Sequence, residues 1–198
     1  MKPQASLERP GEHASGRGAS QGRIRAGTVW GVFGFIFILS QAIYRLAPLA
    51  AEPLVDHLLD TWWKWALFVA SIVFNGYAEG YKAFHRNAAP RVVARALYLT
   101  KNPRPLFIAL APLFCMGLFH ATRKRLIVSW SVYAGIIALV IAVRQLSQPW
   151  RGMVDAGVVV GLAWGVISLL MYFVRAARGE PMPVSADVPD DAVACEPT

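Results

Sequence analysis

Five apolar stretches constrain this chain more than any other feature of its sequence. A helix needs ~20 residues to cross the hydrocarbon core of a bilayer, and a lipid-embedded backbone satisfies its hydrogen bonds only within a helix or a closed barrel. Each stretch therefore predicts a helix, and together they predict an all-α, polytopic integral membrane bundle. The stretches cover residues 28–46, 62–81, 105–121, 126–143 and 153–174.

The composition agrees with a membrane-embedded chain. Of the 198 residues, 56% belong to the hydrophobic set and 16% are charged, which lies outside the usual range of a soluble domain. The formal net charge of +8 comes from Lys and Arg residues that lie between the apolar stretches, and not on a separate domain. This distribution favours anionic lipid, and not nucleic acid, as the partner of the positive charge.

The third apolar stretch differs from the others in length and in its central proline, Pro112. Its 17 residues fall short of a ~30 Å hydrocarbon core at ~1.5 Å per residue. If it dips in and returns, 16 of the 20 Lys and Arg residues lie on the N-terminal side, whereas five full crossings place 13 there. Positive charge collects on the cytoplasmic side. The sequence therefore predicts four transmembrane helices plus a re-entrant or interfacial element in a bacterial inner membrane, with both termini cytoplasmic; five transmembrane helices are the alternative.

The two ends of the chain have polar compositions. Residues 1–27 are basic and rich in Gly and Ser, and they lack the apolar core of a secretory signal. They predict a disordered cytoplasmic leader before a membrane domain at residues 28–178. Residues 179–198 are acidic and rich in Pro, and they predict a disordered tail.

The second apolar stretch carries a polar stripe. At 100° per residue, a helix over residues 62–81 places four polar side chains on one narrow face. An ionisable group in a membrane helix is a functional site or, near the end of a span, an interfacial anchor. Because the span is expected to end near Tyr81, the carboxylate should lie ~3 Å below the inner boundary, which favours anchoring. The candidate polar site comprises Ser71, Asn75, Glu79 and Lys82.

Two helices carry glycines at intervals of four. Gly76 and Gly80 lie beside the polar stripe, and the last stretch contains Gly157, Gly161 and Gly165. Small residues at this spacing let helix backbones approach closely in lipid. The pattern predicts that the two glycine faces pack on each other, although homo-oligomers or hetero-oligomers would use the same surfaces.

The segment after the second stretch is basic, with a short apolar stripe that begins near Pro90. Such a pattern predicts an amphipathic helix on the inner membrane surface. Its cations, and those before the fourth stretch, are expected to contact the headgroups of anionic lipid. These residues are Arg91, Arg95, Lys101, Arg104, Arg123, Lys124 and Arg125.

The sequence lacks the common enzyme signatures: a G-x-S-x-G elbow, H-E-x-x-H, a glycine-rich phosphate loop or Cys-x-x-Cys. The histidines His57, His85 and His120 have no metal-ligand spacing, so no catalytic residue, metal or cofactor is assigned. The sequence favours a non-enzymatic scaffold or assembly subunit that contacts partner helices and anionic lipid. The alternative is a small transporter or lipid-handling protein that uses the polar stripe, and an enzyme acting on lipid headgroups is a weaker alternative.

Overall fold

The computed structural model of the chain describes residues 26–101 and 105–188. These residues form helices joined by turns and contain no β-strand, so the predicted all-α architecture is confirmed. The helices are α1 (Ala26–Val55), α2 (Trp62–Asn75), the π-helix π1 (Gly76–Ala88), α3 (Ala89–Lys101), α4 (Pro105–Ala109), α5 (Ala111–Cys115), α6 (Arg123–Arg144) and α7 (Trp150–Ala177).

Three of the described helices are long and apolar enough to cross a membrane. They are α1, α6 and α7, with mean hydropathies of 1.7, 2.4 and 2.2. These helices are consistent with an integral membrane protein. The helix α2 continues directly into π1 and α3, so residues 62–101 form one rod in which the helix type changes at Gly76.

The bundle consists of three rods: α1, the α2–π1–α3 rod and α7. Pro53 contacts Gly152, and the ring of Phe33 lies 5.5 Å from that of Phe173, so α1 and α7 are antiparallel. We call the end of the bundle that carries Trp63 and Trp150 the outer end, and the end that carries Ala26 and Ala177 the inner end. At the outer end the rings of Trp63 and Trp150 lie 5.7 Å apart.

The main apolar core lies at the inner end, between α1, α3, α5 and α7. The apolar stripe of α3 packs into this core, because α1 and α7 cover it from two sides. The sequence predicted that α3 lies on the membrane surface with its apolar stripe in the lipid. This is wrong for the apolar stripe, which packs inside the protein. Core residues with at most 8% of their surface exposed include Val32, Phe35, Val92, Val93, Ala96, Leu99, Phe114 and Leu169.

The helices α4 and α5 form a short hairpin against the inner part of α1. Close contacts join Ile108 to Gly27, Cys115 to Gly31 and Pro112 to Gly34. Pro112 lies in the first turn of α5, where its missing N–H breaks no helical hydrogen bond. These contacts involve the first nine residues of α1, so the hairpin lies against the inner part of that helix.

Residues 179–188 fold back onto the inner end, and their predicted disorder is wrong. Met182 and Val188 pack against the core, and the backbone N–H of Thr122 donates to the carbonyl of Asp187 at 3.1 Å. We call residues 105–122 and 179–188 together the inner cap. The rest of the predicted tail and residues 1–25 of the predicted leader lie outside the described residues, and α1 begins at residue 26.

The helix α6 stands apart from the bundle. Only 6% of its apolar part is buried, against 33% for α7. Its first turns hold it to the inner cap, because Ser129 is buried beside Gly117 and the hydroxyl of Tyr133 donates to Sδ of Met116 at 3.3 Å. Residues 134–142 are all exposed.

Candidate functional site

The interface between the α2–π1 rod and α7 is built on glycines. The α7 glycines face the polar stripe, and the π1 glycines face α7. A Cβ atom built onto Gly157 would lie 2.8 Å from the carbonyl oxygen of Ser71. One built onto Gly161 would lie 3.1 Å from Cβ of Glu79, and one built onto Gly165 would lie 2.8 Å from Cγ of Phe84.

Glycines on π1 contribute the other side of this interface. A Cβ atom at Gly80 would lie 2.9 Å from Cβ of Trp164, and one at Gly76 would lie 3.6 Å from a side-chain carbon of Val160. Distances under 3 Å leave no room for a side chain at Gly80 or Gly157, so the two helices pack closely here. We call the interface formed by the five glycines the glycine seam. The structure thus places the two glycine-bearing faces in contact with each other.

Two residues of the polar stripe lie inside the glycine seam. Asn75 Nδ2 donates to the carbonyl oxygen of Ser71 at 2.9 Å and lies 3.3 Å from the Ser71 hydroxyl oxygen. Both bonds stay within the α2 helix, so the amide satisfies its donor locally. Gly157 packs against the same amide and hydroxyl, which leaves no open path along this part of the stripe.

Lys82 does not share the stripe, contrary to the sequence prediction. The π-helix π1 bonds residue i to residue i+5 and therefore advances each residue by less than the 100° of an α-helix. This smaller rotation carries Lys82 to an exposed position and brings Phe84 against Gly165. Ser71, Asn75 and Glu79 remain on the α7 side of the rod.

Glu79 lies far from both ends of α7. The helix that carries Glu79 continues past Tyr81, the expected end of the span, to Lys101. The Oε2 atom of Glu79 lies 3.1 Å from the Cβ position of Gly161, which is 11 residues after Trp150 and 16 before Ala177. At ~1.5 Å per residue these spans are ~17 Å and ~24 Å. The half-buried carboxylate is therefore opposite the middle part of α7.

His85 lies further along the same interface, between two tyrosines. Its ring centroid is 5.6 Å from those of Tyr81 and Tyr172, and its Nδ1 is 3.2 Å from the hydroxyl of Ser168. Tyr77 stacks on Tyr81 at 5.9 Å, which extends the aromatic row. From the sequence, no role was assigned to His85, although the intervals of four between Tyr77, Tyr81 and His85 indicate rings that are neighbours along one side of a helix.

Arg95 is the most deeply enclosed charge among the described residues, with 1% of its surface exposed. Its Nε donates to the carbonyl of Phe114 at 2.7 Å, and its guanidinium carbon lies 4.3 Å from the centre of the Phe114 ring. Its remaining nitrogens donate to Ala186 at 2.8 Å and to Phe119 and His120 at 3.1 Å each. Arg95 therefore ties α3 to both parts of the inner cap.

Arg95 was predicted to contact lipid headgroups, and this prediction is wrong. The helix α3 is covered on its apolar side, and backbone carbonyls of the cap supply acceptors in place of water or phosphate. Burial lowers the pKa of Arg95 to about 10, so the guanidinium stays charged at neutral pH. Burial also raises the pKa of the neighbouring Cys115 thiol to about 12.

The other predicted headgroup cations are spread over the inner end. Arg123 and Lys124 are exposed at the start of α6, whereas Arg91 and Arg125 are partly buried. Arg91 Nε lies 3.4 Å from Oδ2 of Asp187. Of the remaining two, Arg104 and the side chain of Lys101 lie outside the described residues.

The described residues contain no group of three or more His, Cys, Asp or Glu side chains that could hold a metal ion. At the outer end there is an open, mainly apolar cleft of about 330 Å³. It ends beside the first residue of the polar stripe and is lined by Leu67, Ser71, Leu146, Trp150, Met153 and Val154.

The chain matches no protein-family model, no curated protein and no solved structure at a significant level. The proposals below therefore rest on the arrangement of its residues.

Proposed function

We propose that this chain is a non-enzymatic subunit of a membrane complex, and that it crosses a bacterial inner membrane four times with both termini cytoplasmic. The crossing elements are α1, the α2–π1 rod, α6 and α7. Two observations support this topology: the α4–α5 hairpin makes close contacts with α1 glycines in the first nine residues of that helix, and Thr122 bonds to the segment that follows α7. The arrangement also leaves 16 of the 20 Lys and Arg residues on the cytoplasmic side.

The exposed position of α6 is the observation that supports a role in assembly. The glycine seam uses both glycine faces inside the chain, so those faces are not free for another protein. By contrast, α6 exposes residues 134–142 on every side, and a Cβ atom at Gly135 would meet nothing within 4 Å. A small residue on a bare helix favours close packing of another helix.

The occupant that we propose for α6 is a transmembrane helix of a partner protein. Ser131 and Gly135 lie one turn apart on α6, and both are exposed. They give this face the small-residue spacing that the glycine seam uses internally. The exposed cations Arg123 and Lys124, at the start of α6, hold the inner end of this helix at the level of anionic headgroups.

Photocrosslinking along α6 tests this proposal. A photoreactive amino acid placed singly at positions 131 to 142 in the full chain should give protein adducts at every third or fourth position, centred on Gly135, because only one face contacts a helix. Gly135→Trp should abolish those adducts and the copurification of the same partner. The matched control is Phe37 on α1, which is 63% exposed and should give lipid adducts alone.

Four outcomes of this experiment would contradict the proposal or change it. Adducts with lipid at all α6 positions contradict the proposal, and so do protein adducts without helical periodicity. Adducts between two copies of this chain would show that the occupant of α6 is a second copy of the chain, and would contradict a different partner protein. A partner that persists in the Gly135→Trp variant contradicts the proposed face.

The position of Glu79 favours a second candidate function, proton-coupled transport. A carboxylate opposite the middle of α7 is costly in a membrane unless it is used or paired, and it lies in a half-buried place beside Gly161. In this function Glu79 would carry a proton, while Ser71 and Asn75 would order its surroundings.

Glu79→Gln separates the two candidates. In proteoliposomes with a pH-sensitive dye inside, a transporter should show a proton flux that Glu79→Gln abolishes and that Glu180→Gln, in the inner cap, leaves intact. A subunit without transport should show no flux in any variant, and its α6 adducts should persist in Glu79→Gln. Flux lost together with those adducts would indicate that the variant disturbs the fold, which thermal unfolding would reveal.

A further inference from the structure

One carboxylate of the inner cap lies among several arginines. Arg91 Nε lies 3.4 Å from Oδ2 of Asp187. The negative charge of Asp187 also acts on Arg95 and Arg125, and Arg91 repels Arg125. Because one negative charge is matched here against three positive charges, this part of the inner end carries an excess of positive charge.

Two of these guanidinium groups have unused donors. Among the described residues, Nε of Arg91 and Nε of Arg125 are buried and donate no hydrogen bond. Arg91 donates through Nη1 to the carbonyl of Asn87 at 3.2 Å, and its Nε faces the Asp187 carboxylate. Arg95 differs, because all three of its nitrogens donate to backbone carbonyls. Arg91 and Arg125 therefore have capacity for an acceptor with several oxygens, and phosphate is such an acceptor.

Asp187 holds its place mainly through its backbone. Its carbonyl accepts a hydrogen bond from the N–H of Thr122 at 3.1 Å, and its φ of 50° lies in the left-handed region that Asp tolerates. Its carboxylate accepts a hydrogen bond from the hydroxyl of Ser185 at 2.9 Å and is 34% exposed. The side chain is thus free to turn away while the inner cap stays docked.

The cluster lies where the apolar surface of α6 begins. Ile127 and Val128 follow Arg125 by two and three residues, and they are 68% and 44% exposed. Apolar side chains exposed at this level suit acyl chains, and guanidinium groups directly beside them suit headgroups. This position favours a phosphate that is part of a lipid over a soluble one.

We propose that Arg91 and Arg125 form a binding site for the phosphate group of an anionic lipid, and that the Asp187 carboxylate occupies this site as an internal competitor until the lipid binds. The inference rests on the cytoplasmic lipid contact in the proposed function. It does not depend on a partner for α6.

Native mass spectrometry of the full chain in detergent, with added dioleoyl phosphatidic acid, tests the proposal. Asp187→Asn removes the competing charge and should tighten lipid binding by about threefold. Arg125→Gln removes a charged donor and should weaken binding by about tenfold. Arg178→Gln is the matched control, because this arginine directly after α7 is exposed and lies outside the cluster; it should change binding by less than about twofold.

Each alternative result overturns a specific part of the proposal. Unchanged or weaker binding in Asp187→Asn contradicts the competition, and equal effects of Arg125→Gln and Arg178→Gln contradict the site. Displacement of the lipid by inorganic phosphate, or equal binding of dioleoyl phosphatidylcholine, contradicts an anionic lipid as ligand. If Arg125→Gln does not fold, Arg91→Gln provides the same test. Unchanged α6 adducts in these variants show that a failure here leaves the proposed assembly role standing.

Discussion

The glycine seam, which encloses the polar residues Ser71 and Asn75, and the apolar surface of α6 pack in opposite ways. The helix α6 has the highest mean hydropathy of the three candidate spans, at 2.4, and the smallest buried share, at 6%. The seam is built around glycines whose added Cβ atoms would collide with the facing helix. Since lipid tails are as apolar as leucine, apolarity alone does not drive helices together in a membrane. In this chain, backbone approach and polar anchors decide which helices associate.

The largest effect should come from Arg95, which anchors the inner cap. Arg95→Met keeps most of the side-chain volume but leaves the carbonyls of Phe114, Phe119, His120 and Ala186 without their donor. At ~1–3 kcal/mol for each buried group left unsatisfied, we expect a loss of roughly 4 kcal/mol or more in the free energy of unfolding. Thermal unfolding in detergent measures this loss.

The control for Arg95→Met is Arg123→Met, which removes an exposed arginine and should lower the melting temperature little. Arg95→Lys should restore only part of the stability, because a compact ammonium cannot reach carbonyls on both parts of the inner cap. Similar melting temperatures for Arg95→Met and Arg123→Met would show that Arg95 does not anchor the inner cap. The contrast between the inner end and the exposed α6 would then be lost.

The role of Arg95 could not be predicted from the sequence. An arginine within a basic, amphipathic stretch normally faces water or headgroups. Its acceptors here are backbone carbonyls at positions 114, 119, 120 and 186, and backbone carbonyls leave no residue pattern. The same holds for residues 179–188, whose polar composition predicts disorder although Met182 and Val188 anchor them to the core.

The next effect contrasts one glycine of the seam with the glycine of α6. Gly157→Ala would place Cβ 2.8 Å from the Ser71 carbonyl oxygen, so we expect a loss of about 1–3 kcal/mol from overpacking. Gly135→Ala meets open space and should stabilise its helix by up to about 1 kcal/mol, because alanine has the higher helix propensity. If both variants raise the melting temperature, or both lower it, the contrast between a closely packed glycine seam and an exposed α6 is contradicted.

The sequence was a better guide to the glycine seam than to the charges. The intervals of four at Gly157, Gly161 and Gly165 predicted a packing face, and the structure places that face against the α2–π1 rod. The change of helix type at Gly76 was not predictable, since hydropathy does not record whether a residue bonds to i+4 or i+5. This change displaces Lys82, and the rod continues past Tyr81, with Glu79 opposite the middle part of α7.

A smaller effect should appear at alkaline pH and test the contact between α5 and α1. Burial raises the pKa of Cys115 from its ordinary 9.0 to about 12, so only the unfolded chain ionises between these values. This stabilisation of the folded state is complete below pH 9.0 and is lost as the pH rises, by about 1 kcal/mol per pH unit. Cys195, the other cysteine of the chain, is replaced by Ser in both proteins that are compared. Cys115→Ala should then remove this part of the decline in the free energy of unfolding at alkaline pH. Equal alkaline slopes for the two proteins would show that Cys115 is not buried against Gly31.

The smallest effect should come from the contact that holds α6 to the inner cap. Tyr133→Phe removes the hydroxyl that donates to Sδ of Met116, and sulfur is a weak acceptor. We expect a loss below about 0.5 kcal/mol and an unchanged spin-label distance between positions 44 on α1 and 137 on α6. A loss as large as that of Gly157→Ala would mean that α6 unfolds together with the bundle. The exposed surface of α6 would then be fixed relative to the bundle. A partner helix would bind to it without any movement of α6.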